Sequence, residues 1–247
     1  MDALPESGGE RYVGLDGCRG GWFCVGINDQ GNWVVSLIAG NAVFSAVSSA
    51  RTALIDIPIG LGENGSGARL CDREARRQLG RMRGASVFPA PTRASLRARN
   101  YSEALAINRR QTGRGISKQS WLLAPKIREI DDLLQAELNL RGVLRESHPE
   151  VCFWALNGSM PMRHNKKTLE GRNERLALLR LFFPATDALY KEALTRYRRT
   201  DTTRDDIIDA LVLAISARFG AGRYSTLPAR PPRDANNLPM EMVFWAP

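Results

Sequence analysis

The chain has 247 residues, 43% of them hydrophobic, which fits one large domain or one domain with an insertion. Its net charge of +9 suits a phosphate-rich partner. A structural zinc site is not expected, because the four cysteines lack Cys-x-x-Cys spacing and the chain has only two histidines. The scattered cysteines indicate reduced thiols in a cytoplasmic protein. No apolar run approaches the ~20 residues of a membrane span, and residues 1–10 lack the order of a signal peptide, so no membrane partner is expected.

The first predicted strand covers 12–15 and runs into an acidic residue. Asp16 stands where this apolar run should end, just before glycines at 17, 20 and 21 that allow a tight turn. An ionised carboxylate is costly to bury unless it is paired, protonated or bound to a metal, so Asp16 needs a partner. A turn-capping aspartate is the alternative interpretation.

Three further strands are predicted at 22–27, 33–38 and 52–58. The Asn-Asp-Gln-Gly turn at 28–31 predicts that the second and third strands pair antiparallel. A short helix over 41–49 leads into the fourth strand, and a strand, a crossover helix and a strand favour parallel pairing. The fourth strand should therefore lie beside the first.

The fourth strand also carries an acid. Asp56 interrupts it, and Pro58 removes a ladder donor and helps to end it nearby. Parallel neighbours with carboxylates at their C-terminal ends would place Asp16 and Asp56 within a few ångströms, at the edge where open α/β sheets bind ligands. Like charges that close repel unless a cation or a proton lies between them.

The segment 60–142 changes to arginine-rich helices, predicted at 71–83, 102–110 and 125–140, with Pro125 at a first helical position. We interpret this segment as an insertion or cap over the sheet edge. Within 69–99, nine arginines against two acids give +7. Arginine forks match phosphate oxygens, although a solvated helix face gives the same pattern. The candidate nucleic-acid-binding residues here are Arg76, Arg77, Arg81, Arg83 and Arg93.

A fifth strand, 143–147, runs into a helix that begins at Pro149 and continues through Leu156. Glu146 alternates with apolar neighbours and could face the same edge as Asp56. Glu150 lies in the first helical turn, where it could join the site or complement the helix dipole. Both glutamates stay candidates for the catalytic site.

A second basic loop at 163–167 contributes Lys166 and Lys167 as nucleic-acid-binding candidates. Helices are predicted after it at 169–182 and 186–197, and a last helix begins after Thr203.

In that last helix, Ile208, Leu211, Val212, Ile215 and Phe219 share one face, so it should be buried against the sheet. Asp206 and Asp209 lie three residues apart on one side of it. Asp206 also fits a capping box with Thr203, and the choice between Asp205 and Asp206 as the functional acid stays open. Asp209 has no such local reason, because aspartate is a poor helix former inside an apolar helix.

Four motifs occur in order along the chain: Gly-Leu-Asp-Gly at 14–17, Leu-Ile-Asp-Ile-Pro at 54–58, Arg-Glu-Ser-His-Pro-Glu at 145–150 and Asp-Asp-Ile-Ile-Asp-Ala-Leu at 205–211. With the closing Met-Glu-Met-Val-Phe-Trp, this order resembles the predicted nucleases grouped as domain of unknown function 429 (DUF429). That family is assigned to the ribonuclease H-like fold, near the RuvC-type junction resolvases. Two departures are that the resolvases carry a glutamate where this chain has Asp56, and lack the arginine-rich insertion.

The resemblance implies an α/β fold, with a ribonuclease H-like mixed five-stranded sheet flanked by helices. The expected organisation is a single domain over 10–247 that contains the helical insertion at 60–142. The implied metal ligands for Mg²⁺ or Mn²⁺ are Asp16, Asp56, Asp206 and Asp209, and the catalytic set adds Glu146 and Glu150. Magnesium prefers oxygen ligands, so a carboxylate-rich, histidine-poor chain suits it.

The expected function is a metal-dependent nuclease that hydrolyses phosphodiester bonds of DNA or RNA by a two-metal-ion mechanism. One alternative is an actin-like sugar kinase, which also begins with an Asp-Gly turn, although that superfamily duplicates the domain and this chain shows no second glycine-rich phosphate loop. Another is a nucleic-acid-binding protein without catalysis. A homodimer stays open.

Overall fold

A five-stranded mixed sheet forms the centre of the computed structural model, which describes residues 11–63 and 67–247. The strands are β1 (Arg11–Cys18), β2 (Gly21–Asn28), β3 (Trp33–Ile38), β4 (Ala50–Ile55) and β5 (Leu144–Glu146). Their spatial order is β3-β2-β1-β4-β5. The antiparallel β2–β3 pair and the parallel β1–β4 pair are both confirmed. The signal-peptide prediction for 1–10 lies outside the described residues.

Helices cover both faces of this sheet. They are α1 (Val43–Val47), α2 (Leu70–Arg83), α3 (Tyr101–Thr112), α4 (Lys118–Ala136), α5 (Pro149–Leu156), α6 (Leu169–Phe182), α7 (Thr186–Arg196) and α8 (Arg204–Gly220). A small antiparallel pair, β6 (Ser225–Leu227) and β7 (Met242–Phe244), follows α8. Within the described ranges, none of the helices combines the length and the apolar character that a membrane crossing requires.

The two faces of the sheet pack into separate apolar clusters, because side chains alternate along each strand. In β1, Val13 and Leu15 pack into the cluster that contains α1 and α4, whereas Tyr12 belongs to the cluster of α5, α6 and α8. Gly14 and Asp16 therefore share the α8 face with Tyr12. The same alternation in β4 places Leu54, and then Asp56, on the α8 side.

The helix α8 is buried on all sides from Ile207 to Ala217, not along a single face as the apolar pattern predicted. It packs against β1, β2 and β4 on one side and against α5, α6 and α7 on others. Its closest approach is at Gly14, where an added Cβ would overlap the carbonyl oxygen of Ala210. The absence of a side chain at this position therefore sets the distance between β1 and α8.

Several predicted boundaries differ from the structure, among them the end of the fourth strand, which is Ile55 and not Pro58. Two differences have a clear physical reason. Asp16 does not end its strand, because β1 continues to Cys18 through antiparallel pairing with β2, and only the parallel pairing with β4 stops at Leu15. Pro125 does not begin a helix: α4 begins seven residues earlier, capped by Ser117, whose side chain accepts from the Ser120 N–H. Tertiary packing of α4 offsets the loss of one helical hydrogen bond at the proline.

The segment 60–142 also contributes a helix to the hydrophobic core. In α4, Ala124, Ile127 and Ile130 belong to the apolar cluster beneath the sheet. The Trp22 Nε1 donates to Glu129 Oε1 at 2.7 Å, which ties α4 to β2. Thus α4 is a layer of the core, and the cap stays a prediction for the rest of the segment.

Candidate functional site

Three aspartates converge where β1, β4 and α8 meet. Asp56 follows β4 directly, and its N–H donates to the Leu15 carbonyl at 3.0 Å, so the parallel ladder places Asp16 and Asp56 side by side. Asp16 acts on the pKa of Asp56, as expected for neighbouring side chains. Asp209 comes from the first half of α8, immediately before Ala210, which contacts Gly14. The close approach at that glycine brings the third carboxylate to the first two.

Burial makes this cluster electrostatically costly. Asp16 is 7% exposed and Asp209 is 2% exposed. Desolvation, followed by the charges of Asp209 and Asp56, holds the pKa of Asp16 well above its usual value. Desolvation also raises the pKa of Asp56, although His148 opposes this shift. The cluster therefore favours a proton or a cation among its carboxylates.

One cation is supplied by the chain. Lys166 Nζ donates to Asp209 Oδ2 at 2.6 Å, and the charge of Asp209 raises the pKa of this lysine above its usual value. The other oxygen, Asp209 Oδ1, is buried without a hydrogen-bond partner. Buried polar atoms are normally paired, so this oxygen has capacity for a further ligand.

Asp205 and Asp206, at the start of α8, lie near the three aspartates, and Asp206 also caps the helix. Asp206 accepts from the Thr203 N–H at 2.7 Å, and the Thr203 hydroxyl accepts from the Asp206 N–H, so the capping box is confirmed. The charge of Asp206 nevertheless raises the pKa of Asp16. Asp205 lies close enough to Lys166 for the lysine to lower its pKa, against a larger rise from burial. Both acids add negative potential, and Asp206 is held by the cap.

The two candidate glutamates are bound by buried arginines. Glu146 accepts from Arg69 Nη2 at 2.6 Å and from Arg69 Nη1 at 2.7 Å. Glu150 accepts from Arg175 Nη2 at 2.5 Å. Glu146 lines one crevice with Asp56, as expected of a residue at that edge, but Arg69 holds its carboxylate, and its catalytic role stays a prediction.

His148 lies beside Asp56, although the sequence analysis assigned it no role in the site. Its Nδ1 accepts from the Glu150 N–H at 3.1 Å and caps α5, which leaves Nε2 as the ring nitrogen available for a further contact. The ring lowers the pKa of Asp56 and lines a crevice of about 10 Å³ with it, which is room for about one water molecule. The signal was present in the motif at 145–150, where a histidine directly precedes the helix.

Two groups of side chains are candidates for a metal. In the described part of the chain, Cys71, Asp72 and Glu146 offer ligand atoms within 4.8 Å of one another, but the Arg69 guanidinium already binds both carboxylates at 2.6 Å. The oxygens of Asp16, Asp56 and Asp209 are not all within 4.8 Å of one another. This second group is nevertheless the better fit for Mg²⁺ or Mn²⁺, because its ligands are all oxygens, one oxygen is unpaired, and a single internal cation, Lys166, serves three carboxylates.

The predicted arginine surface divides into structural and exposed members. Arg93 is bound by Asp131 and Asp234, with its guanidinium 13% exposed, so it is committed within the fold, and its assignment to nucleic acid stays an untested prediction. Arg76 donates to the Val87 carbonyl at 2.7 Å, and Arg83 donates to the Met162 carbonyl at 2.9 Å, so both also fasten loops.

The arginines of α2 that remain available form a stripe. Arg73, Arg77 and Arg81 are exposed, and none of their side chains has a hydrogen bond or ion pair to residues 11–63 or 67–247. Arg73 and Arg77 lie one turn apart on one helix face. Arg81 continues the stripe beyond Gly80, where the helix is kinked. Sequence reasoning found Arg77 and Arg81 but not Arg73. Lys167 is exposed, whereas Lys166 is committed to Asp209.

Comparisons with known proteins place the chain in a family without giving it an activity. Searches of curated proteins and of solved structures found no significant match to this chain. Residues 14–233 match the family described as "Protein of unknown function (DUF429)", and this span includes all three converging aspartates. Because the match covers most of the chain, the protein belongs to the DUF429 family.

Proposed function

We propose that this protein is a divalent-metal-dependent nuclease with a ribonuclease H-like fold, related to the RuvC-type resolvases. The observation that carries the proposal is the convergence of the buried Asp16 and Asp209 with the partly buried Asp56 on the α8 side of β1 and β4. The five-stranded mixed sheet agrees with the sheet that the resemblance implies. Buried carboxylates that repel one another destabilise a fold unless they serve a ligand.

In this proposal, different residues of the chain bind the metal, bind phosphate and position a water molecule. Asp16, Asp56 and Asp209 would hold Mg²⁺ or Mn²⁺, with Asp206 adding negative potential from the helix start. Bound metal would supply an activated water and charge stabilisation for an in-line displacement at phosphorus. The exposed stripe of Arg73, Arg77 and Arg81 would bind backbone phosphates of the nucleic acid. His148 would position a water or a phosphate oxygen through Nε2, beside Asp56.

Metal binding is the first test. Converging carboxylates repel when no cation separates them, so Mn²⁺ or Mg²⁺ should stabilise the fold. At a metal concentration of about 100 Kd, the gain should be about 2.7 kcal/mol, or a rise in Tm of roughly 5–10 °C. The measurement is thermal unfolding over a metal titration. A Tm that does not change with millimolar metal contradicts the proposal.

Cleavage is the second test. Asp16→Asn removes a proposed ligand and a negative charge that faces phosphate, so it should lower cleavage by about 100-fold or more while leaving nucleic-acid binding intact or tighter. Asp132→Asn removes the same charge from the exposed surface of α4 and is the matched control. The assay is a screen of structured DNA and RNA with each metal. Equal cleavage by Asp16→Asn and parent would exclude the aspartate cluster as the active site.

The ion pair of Lys166 with Asp209 favours one alternative, a nucleic-acid-binding protein that does not cleave, because an internal cation already neutralises part of the cluster. Binding without cleavage and without any metal response would support that function. ATP-dependent sugar phosphorylation without nuclease activity would instead support the actin-like kinase.

A further inference from the structure

Lys166 is more exposed than the arginines that pair with buried acids among the described residues, of which Arg145 beside Glu241 comes nearest at 25%. The side chain of Lys166 is 36% exposed, whereas the side chain of its partner Asp209 is 2% exposed. The ammonium therefore reaches inward from the surface to a buried carboxylate. Its charge also acts on Asp16 and Asp56, so it lies among the same three carboxylates that are proposed to hold a metal.

Two buried glutamates are neutralised by arginines that are much less exposed than Lys166. Arg69 binds Glu146 and Arg175 binds Glu150 with guanidinium groups that are only 3% and 1% exposed. Contacts between groups buried this deeply cannot open without disrupting the core. A lysine on a flexible stem with access to water can leave its partner by side-chain rotation alone.

The backbone on both sides of Lys166 is fastened, which confines movement to the side chain. Glu174 accepts from the N–H groups of Arg163 and His164 at 2.8 and 2.9 Å. On the other side, Thr168 donates to the Asn165 carbonyl at 3.0 Å and caps α6. The loop therefore presents the ammonium to the cluster from a fixed position.

We propose that Lys166 is a displaceable counter-ion: its ammonium occupies the carboxylate cluster in the metal-free protein, and a divalent ion expels it toward solvent. The unpaired Asp209 Oδ1 gives an incoming ion a first oxygen before the lysine has left. The ammonium limits mutual repulsion of the aspartates without a metal and competes with the metal for the same place. This inference rests on the proposed metal site and deepens it.

The test compares the metal midpoint of Lys166→Met with that of the parent. Methionine keeps an unbranched apolar stem and removes the charge, so the concentration of Mn²⁺ that gives half of the Tm rise should fall by about tenfold. Lys167→Met removes the same charge from the neighbouring exposed position and should leave the midpoint unchanged. A Lys166→Met midpoint equal to or above that of the parent overturns the inference while the metal site stands. A parent that shows no metal response overturns both.

A second measurement avoids the substitution, in case Lys166→Met does not fold. Acylation of each lysine in the parent can be followed by mass spectrometry with and without Mn²⁺. Expulsion by the metal should make Lys166 react several times faster, while Lys167 in the same loop reacts at an unchanged rate. A rate at Lys166 that Mn²⁺ does not raise contradicts displacement.

Discussion

At the scale of single residues, Asp16 is the clearest case of a side chain that lowers the stability of the fold but is suited to bind a ligand. It sits inside a strand of the central sheet, almost fully buried, and its nearest charged neighbours include two other carboxylates. Burying an ionised group in this way costs several kcal/mol, of which Lys166 offsets only part. A carboxylate retained at such a position is explained better by a ligand than by packing.

The cost of burying Asp16 has a measurable pH dependence. The folded state holds the proton of Asp16 more tightly than the unfolded chain does, where aspartate titrates near pH ~3.9. Stability of the metal-free protein should therefore fall as pH rises from about 4 toward the raised pKa. Asp16→Asn cannot ionise, so it should match the parent near pH ~4 and exceed its free energy of unfolding by about 1 kcal/mol or more near pH ~8.

Urea unfolding with a chelator present measures this difference at each pH. Asp187→Asn is the control of opposite sign, because the hydrogen bond from Arg180 lowers the pKa of the exposed Asp187. The parent should gain stability from Asp187 as pH rises toward about 4, and the variant should lack that gain. Parallel pH profiles for Asp16→Asn and the parent would show that burial does not shift this aspartate.

The sequence predicted the site best at acidic residues that interrupt an apolar strand or helix. Asp16 in an apolar strand and Asp209 in an apolar helix had no local reason to be there, and the structure brings them together. The sequence did not reveal that Arg69, 77 residues away, holds the carboxylate of Glu146. The partner of Lys166 lies 43 residues away, and such a contact leaves no local pattern in the sequence.

At the scale of elements, the contact of β1 with α8 sets the geometry of the site. Gly14→Ala should push α8 away, because the added Cβ would meet the backbone of Ala210 and Ala214. The expected loss of stability is about 1–3 kcal/mol, with a weaker response to Mn²⁺ because Asp209 moves with the helix. Urea unfolding and the metal midpoint measure the two effects.

The matched control for this substitution is Gly26→Ala on β2, where the new Cβ would lie 3.2 Å from a side-chain atom, Val34 Cγ1. A movable side chain can adjust, so this variant should lose less stability and keep the metal midpoint of the parent. If Gly14→Ala keeps that midpoint as well, the close approach of α8 does not position Asp209.

Elements with strong local signals were predictable, and those that depend on long-range packing were not. The hairpin turn, the Pro149 helix start and the capping box of α8 all followed from short sequence patterns. The start of α4 did not, because packing under the sheet keeps Pro125 inside a helix. The extent of β1 also depended on a partner strand that the apolar run alone does not reveal.

At the scale of the whole molecule, the net charge of +9 is not spread evenly over the available surface. Arg69 and Arg175 neutralise buried acids, and Arg93 bridges α4 to the loop that carries Asp234. These cations belong to the stability of the fold. The stripe of Arg73, Arg77 and Arg81 on α2 is the part of the predicted basic surface that faces solvent without internal partners among the described residues.

Replacing all three arginines of the stripe with alanine should therefore weaken nucleic-acid binding across sequences. Each phosphate contact contributes about 0.9 to the slope of log affinity against log salt on duplex DNA, so the slope should become shallower by about 2.7 if all three contact phosphate. Binding is measured by salt titration with a chelator, which prevents cleavage. Arg76 and Arg83 are left in place, because their removal would free the loops that they fasten.

The control must remove the same charge without touching the stripe. Arg97, Arg99 and Arg180 are exposed and each pairs with a carboxylate, so their triple alanine variant loses three positive charges from already neutralised positions. Exposed pairs of this kind contribute little to stability, and both variants should fold. If the two variants lower the slope equally, the effect comes from net charge and α2 is not the binding surface. A loss confined to the α2 variant would place the phosphate backbone along this helix and leave the exposed Lys167 loop as the next surface to test.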